Sequence, residues 1–310
     1  MPLKDSLLAV LVVTIWGTNF VVVDAGLDGV PALLFLAMRF VVVLLPAVFL
    51  VPRPQARWQD VAAVGAFMSL GQFGLLYLAL EADMPPGLAS LVLQAQVLFT
   101  VLIATLALGE RPTRRQLLAV LVGAVGLAVV AFGRSASTPL VALLLTLAAA
   151  LSWAIGNVLS RRVRSASGLS LTVWSGLVVP VPAVLLSLVV DGPAEVGHAL
   201  THLPVSALWA TAYTAYLASL VGYGLWNHLL GRHPAAAVVP FALLVPVVGM
   251  LAAWVVQGEQ PNAAETVGGL LLLVGVAATS LRGRGRGERP TGGPGPAART
   301  RTGRKVRAMS

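Results

Sequence analysis

The sequence predicts an all-α polytopic membrane protein, with ten transmembrane helices arranged as two inverted five-helix repeats. Three observations carry this. Hydrophobic residues make up 57% of the 310 positions and charged residues only 11%, with a mean hydropathy of +0.87. A water-exposed surface needs far more charge than this. Apolar runs of spanning length fill most of the chain. One four-residue motif recurs at the same place in two otherwise similar stretches.

The spans follow from length, since a helix crosses the hydrocarbon with ~20 mostly apolar residues. Windows 7–24, 32–51, 60–80, 87–108, 116–133, 139–159, 170–190, 206–229, 235–257 and 266–281 qualify. A membrane β-barrel would instead show ~10-residue alternating segments; these runs are longer and apolar on every face. Lys4 followed by an apolar run loosely resembles a signal peptide. However, Leu7 to Val23 is long for its apolar core and no small-x-small site follows, so it reads as a retained first span. The connections are short, as in "EADMPP", "GERPTRRQ" and "GEQPN", and leave no room for a soluble domain.

Basic residues orient the bundle. With the N-terminus in the cytoplasm, the inner loops hold Lys4, Arg53, Arg57, Arg111, Arg114, Arg115, Arg161, Arg162, Arg164 and Arg232. The outer loops hold only Arg134. Asp24, Asp28, Glu81, Asp83, Asp191, Glu195, Glu259 and Glu265 lean outward. Residues 282–310 mix Arg with Gly and Pro, and such a tail is expected to be disordered and to associate with anionic headgroups. The chain is expected in the bacterial inner membrane as a multi-pass protein with both termini cytoplasmic. It contains no cysteine, which excludes disulfides, thiol catalysis and cysteine metal sites.

The repeat is visible in "PPGLASLVLQAQVLFTVLIATLALGERP" (Pro85 to Pro112) and "HPAAAVVPFALLVPVVGMLAAWVVQGEQP" (His233 to Pro261). Both open with Pro and small residues, and both end in Gly-Glu-x-Pro. "TIWGTNFVVV" in the first window and "LSWAIGNVLS" in the sixth each carry Trp, Gly and Asn. The division is therefore 1–134, 135–281 and the tail 282–310. Five spans per half is odd, so the second half is inserted upside down. The first motif accordingly sits with Arg111, Arg114 and Arg115, and the second with Gln260, Asn262 and Glu265. Inverted repeats enclosing a midplane site are a recurring build of secondary transporters.

Polar groups in hydrocarbon must face protein or water. Asn19 lies ~18 Å along its span from Leu7 at 1.5 Å per residue, and Asn157 is its counterpart. Both read either as cavity-lining amides that hydrogen-bond a polar substrate or as interhelical bonds. Trp16 and Trp153 are too deep for an interfacial belt, and they wall a cavity or simply pack. Arg39 stands within the second span with no intramembrane carboxylate as an obvious partner. It reads as a site for a substrate carboxylate, or as a structural cation bonded to carbonyls or reaching the outer face. Gln72 and Gln94 are further candidates, with Gln96 pointing to a different side of the helix from Gln94. Tyr223, with Tyr77, Trp174 and His228, is weaker. Pro240 and Pro246 interrupt the ninth span and suit a gating helix. Gly65, Gly71, Gly74, Gly123 and Gly126 suit close helix packing. Glu195, His198 and His202 form E-x-x-H-x-x-x-H, yet no third strong ligand motif supports a metal, and no metal or other cofactor is expected.

The stretches around Thr14–Val23, "MPPGLASLVLQAQVLFT", "LGERP", "TLAAALSWAIGNVLSRR", "VGYGLWNHLLGR" and "LLVPVVG" resemble the EamA branch of the drug/metabolite transporter superfamily over roughly residues 3 to 281. Within it the likeness is greatest to bacterial exporters of O-acetylserine and cysteine. The resemblance implies ten helices, two EamA domains and efflux of small metabolites, here amino acids or derivatives. The basic tail departs from the family pattern, as do Asn227 and His228 in "WNHLL". No P-loop pattern is present, so uphill export needs an ion gradient such as protons, or a partner; facilitated diffusion is the alternative. The expected partners are a small-molecule substrate, the lipid bilayer and a coupling ion, with a homodimer left open and no nucleic acid. No paired acids, H-E-x-x-H or Ser-base cluster marks an enzyme. Kinked, inverted halves favour alternating access over a channel or receptor.

Overall fold

A computed structural model describes residues 1–110, 112–133, 138–161, 163 and 168–280. Arg111, Arg134, Arg162, Arg164 and the basic tail of 282–310 lie outside the described residues. All regular structure among the described residues is helical. The helices are α1 (Leu3–Gly26), α2 (Ala32–Leu50), α3 (Trp58–Glu81), α4 (Pro86–Leu108), α5 (Arg114–Gly133), α6 (Leu140–Ser160), α7 (Gly168–Gly176), α8 (Pro180–Val190), α9 (Pro193–Thr201), α10 (Val205–Arg232), α11 (Val239–Gln257) and α12 (Ala263–Ser280).

Eight of these, α1–α6 with α10 and α11, are long and apolar enough to cross a membrane. The seventh window is broken: α7 and α8 meet at 41°, and counted as one span they bring the total to nine. The break spans Leu177–Val179, whose N–H groups bond three residues back, and Pro180, which needs no N–H partner there, opens α8. The tenth window forms the shorter apolar helix α12. Side chains such as Phe132, 91% exposed, and Leu106, 87% exposed, point outward. In water these would be a liability; around a spanning bundle they are the lipid-facing surface.

Four helices are irregular, and the irregularities come in pairs. α3 contains a π-helical stretch at Gly65–Gly71, and α10 one at Tyr213–Gly222. α4 breaks after Val92 through i→i−3 bonds at Gln94, Gln96 and Val97, then runs as a 14-residue helix, Ala95–Leu108. α11 begins as a 3-10 turn over Val239–Leu243, then runs as a 14-residue helix, Leu244–Gln257. Each 14-residue helix stops on the glycine of a Gly-Glu-x-Pro motif, Gly109 at φ 65° and Gly258 at φ 69°. That left-handed conformation favours glycine and ends a helix cleanly.

Packing follows the same pairing. α1 lies against α10 and α11, and α6 lies against α3 and α4. α2 packs on α8, the first turns of α4 on α11, and α5 on α12. The α5–α12 seam is made by small residues: a Cβ on Gly126 would stand 2.5 Å from the Gly268 carbonyl oxygen. Close backbone approach of this kind is how helices associate where lipid removes any hydrophobic drive between them.

Candidate transport site

A π-helical turn widens the backbone ladder and frees carbonyls, and such turns cluster at functional sites. Here the freed carbonyls are taken up by the helices packed alongside. Trp16 of α1 donates its indole N–H to the Ala218 carbonyl in the π stretch of α10 at 2.9 Å. Ser152 of α6 donates to the Phe67 carbonyl in the π stretch of α3 at 2.7 Å. Trp16 also packs between Tyr223 and Trp226, with ring centres 5.2 and 5.3 Å away. The Thr18 and Tyr213 hydroxyls lie 2.5 Å apart, and Tyr213 donates to the Ile15 carbonyl at 3.0 Å.

Arg39 is a charged residue held in this interior. It is 2% exposed, and its guanidinium donates to the Tyr77 hydroxyl at 2.5 Å and to Ser219 Oγ at 3.1 Å. The group lies 4.2 Å from the Phe73 ring centre, a cation–π contact. Its Nε has no hydrogen-bond partner among the described residues. Ser219 belongs to the π stretch and bonds back to the Thr214 carbonyl, five residues earlier, at 2.8 Å. Arg39 thus ties α2 to α3 and, across the two halves of the sequence, to α10. Its partners are neutral hydroxyls.

The two asparagines differ. Asn157 donates to Gln96 Oε1 at 2.9 Å, an interhelical bond from α6 to α4. Asn19 Oδ1 is buried without a hydrogen-bond partner among the described residues. Gln94 sits at the break in α4 and is buried, but it is Gln96 that reaches Asn157. Gln72 is buried where α3 leaves its π stretch, and Trp153 and Trp16 are half-buried against the core. Pro240 lies in the 3-10 turn of α11. Pro246 is buried, and its carbonyl accepts from Ser90 of α4 at 3.5 Å. His228 is exposed and Asn227 bonds back to the Tyr223 carbonyl at 2.8 Å. Glu195 and His198 lie on helix α9, and the rings of His198 and His202 stack at 4.4 Å. An apolar cavity of about 430 Å³ between α2, α8 and α10, lined by Leu34, Met38, Val184, Leu208 and Tyr216, has no charged group in its lining.

Sequence reasoning passed over the two ends of the bundle. At one end Glu259 accepts N–H groups from Gly87 at 2.8 Å and Leu88 at 3.1 Å, capping α4. Gln257 donates to Asp24 at 2.6 Å, Asn262 to the Gly133 carbonyl at 3.0 Å, and Glu81 accepts from Ala32 N–H at 3.0 Å. Burial pushes the Glu259 carboxyl above its ordinary value. The two N–H bonds pull it down, and the carboxylates of Glu265 and Asp24 push it up. At the other end Arg161 pairs with Glu110 at 3.2 Å and His233 with Asp5 at 2.7 Å. The glutamate of a repeated Gly-Glu-x-Pro, set against a partner stretch opening in Pro-Pro, is the signal that could have found the cap.

A bundle of apolar helices of spanning length around a buried, hydroxyl-bonded cation and π turns is the interior of a multi-pass membrane protein. Residues 3–132 and 140–281 both match the EamA-like transporter family, and the chain belongs to that family. It is 38% identical over 282 residues to the probable amino-acid metabolite efflux pump of Escherichia coli (strain K12), covering 89% of this chain and 94% of that one. It is 30% identical over 286 residues to the probable terminal-alkyne amino-acid exporter of Streptantibioticus cattleyicolor, covering 89% and 93%. A solved crystal structure superposes at TM-score 0.58 with 21% identity, over 89% of this chain and 96% of that one, a likeness of fold alone.

Proposed function

We propose that this chain is a secondary exporter of amino acids or their derivatives, with cysteine- and O-acetylserine-like cargo, working by alternating access. The observation that carries the reading is the near full-length similarity to a probable amino-acid metabolite efflux pump. Two repeats, 1–134 and 135–281, would each supply five spans in opposite orientation, with both termini cytoplasmic and the Glu259 end outside. The matched family segments and the paired π turns, broken helices and left-handed glycines support that division.

Arg39 suits a substrate carboxylate. Its hydroxyl partners are neutral, and a carboxylate would replace them with charge-assisted bonds roughly twice as strong. Asn19 Oδ1, a buried acceptor, suits an ammonium or hydroxyl donor of the same cargo. Trp16, Tyr223, Gln72, Gln94, Trp153 and Asn157 would line the path, and the interrupted helix carrying Pro240 and Pro246 would move. The membrane potential contributes ~2.3 kcal/mol per charge per 100 mV, and a proton gradient is the proposed partner in uphill export.

Flux of labelled cysteine, O-acetylserine and other amino acids from proteoliposomes tests this. Export that rises with an inward proton gradient is expected. Equal flux with and without the gradient identifies a facilitative uniporter, and absence of flux for every amino acid tried removes the cargo class.

A further inference from the structure

The two Gly-Glu-x-Pro motifs are alike in sequence and in backbone, yet their glutamates are doing different things. Pro86 has no N–H, so the first free donors of α4 are Gly87 and Leu88, and Glu259 takes both. A carboxylate at a helix N-terminus meets unsatisfied donors and the positive end of the dipole. Gly87 makes room for it: a Cβ there would stand 2.9 Å from Glu259 Oε1. The contact joins residues 172 apart, one in each matched family segment.

Glu110 follows its left-handed glycine in the same way, but its side chain is 54% exposed and paired with Arg161. The turn it corresponds to, Ala235–Val238, precedes α11 and opens after Pro234. Among the described residues no hydrogen bond joins Glu110 to that turn. Glu259 is held by a helix N-terminus and Glu110 by an arginine.

We propose that Glu259 is the latch of an outer gate, closed in this structure by capping α4, and that Glu110, paired with Arg161 in this structure, is the corresponding inner latch. The inference rests on the alternating-access reading above. Closing one end by carboxylate capping while the other end's carboxylate is drawn off to an arginine gives the two halves a way to exchange states. The Ser90 hydroxyl lies just beneath the Glu259 cap, fully buried and bonded to the Gly87 and Pro246 carbonyls. It is therefore placed to feel the gate.

Because the chain has no cysteine, one introduced thiol reports alone. Ser90→Cys is exposed to a membrane-impermeant maleimide from outside the cell. Slow labelling is expected in the otherwise native chain. Glu259→Ala should raise the rate roughly tenfold, the factor equivalent to losing a cap of ~1.4 kcal/mol. Gly87→Ala should raise it too, by crowding the carboxylate while keeping a good helix former. Glu110→Ala should not raise it. In a separate chain that keeps Ser90, Ala183→Cys, at a fully buried position of α8, should stay unreactive when combined with Glu259→Ala; if it reacts, that variant has loosened and Gly87→Ala alone decides. Parent-like labelling in both Glu259→Ala and Gly87→Ala overturns the latch. So does an equal rise in Glu110→Ala, or labelling that occurs only from the cytoplasmic side. Flux measured on the same preparations separates the two readings. Shifted labelling without flux keeps the gate and removes the transport function, and flux with unshifted labelling does the reverse.

Discussion

The Arg39 guanidinium donates to the Tyr77 hydroxyl at 2.5 Å, deep between α2 and α3, with no carboxylate hydrogen-bonded to it among the described residues. A full charge is therefore held in the bundle by hydroxyls and an aromatic face. That is costly without further compensation, and it leaves the cation open to an anionic guest. Arg39→Lys keeps the charge but loses the planar fork. Its flux should fall at least tenfold, while Tyr77→Phe, which strands one N–H, should cost ~1–3 kcal/mol of stability. Proteoliposome flux and thermal unfolding in detergent read these separately.

Asn157 and Asn19 should respond in opposite ways. Asn157→Ala breaks the bond to Gln96 and should lower stability by ~0.6 kcal/mol, the average for an interhelical bond in a membrane. Asn19→Ala removes a buried acceptor that has no hydrogen-bond partner among the described residues, so it should leave stability level or raise it while lowering flux. Thermal melts of the two variants, with flux alongside, check this. A large loss of stability in Asn19→Ala would place it in the scaffold instead.

The seam between α5 and α12 should tolerate no bulk. Gly126→Leu must displace the backbone around Gly268 and should cost ~1–3 kcal/mol as an overpacked contact. Gly224, with open space where a Cβ would go, should accept Ala with no loss, because Ala is the better helix former. Melting temperatures of the pair give the comparison.

Glu259 sets a pH dependence with a definite sign. Its carboxyl is raised in the folded chain, so holding it ionised costs stability above the raised value. That cost is relieved as pH falls towards the ordinary carboxylate range and is fully gone below it. The melting temperature of the parent should therefore gain on that of Glu259→Gln across this window and run parallel to it on either side. A difference that stays constant through the window would contradict the assignment.

Much of this architecture was legible in the residues. Apolar runs of spanning length dictate helices, because a backbone in lipid must satisfy its own N–H and C=O groups. The Gly-Glu-x-Pro repeat marked where two of the helices end; the break within the window 170–190 did not show in it. The residues that line the interior were named as types, but not their pairings. Nothing local distinguishes Asn157, bonded to Gln96, from Asn19, whose Oδ1 has no hydrogen-bond partner among the described residues. Neither Ser219 as an Arg39 partner nor Glu259 as a cap for α4 follows from spacing along one helix. The π turns at Gly65–Gly71 and Tyr213–Gly222 carry no propensity signal either, because neighbouring helices take up the carbonyls they free.

By itself, then, the sequence determined a chain of membrane helices with a small set of buried polar groups, since hydrophobic length and backbone satisfaction are local demands. Only the tertiary structure decided which of those groups are paired, and with what, among the described residues. Those outcomes depend on helices far apart in the chain meeting at particular depths.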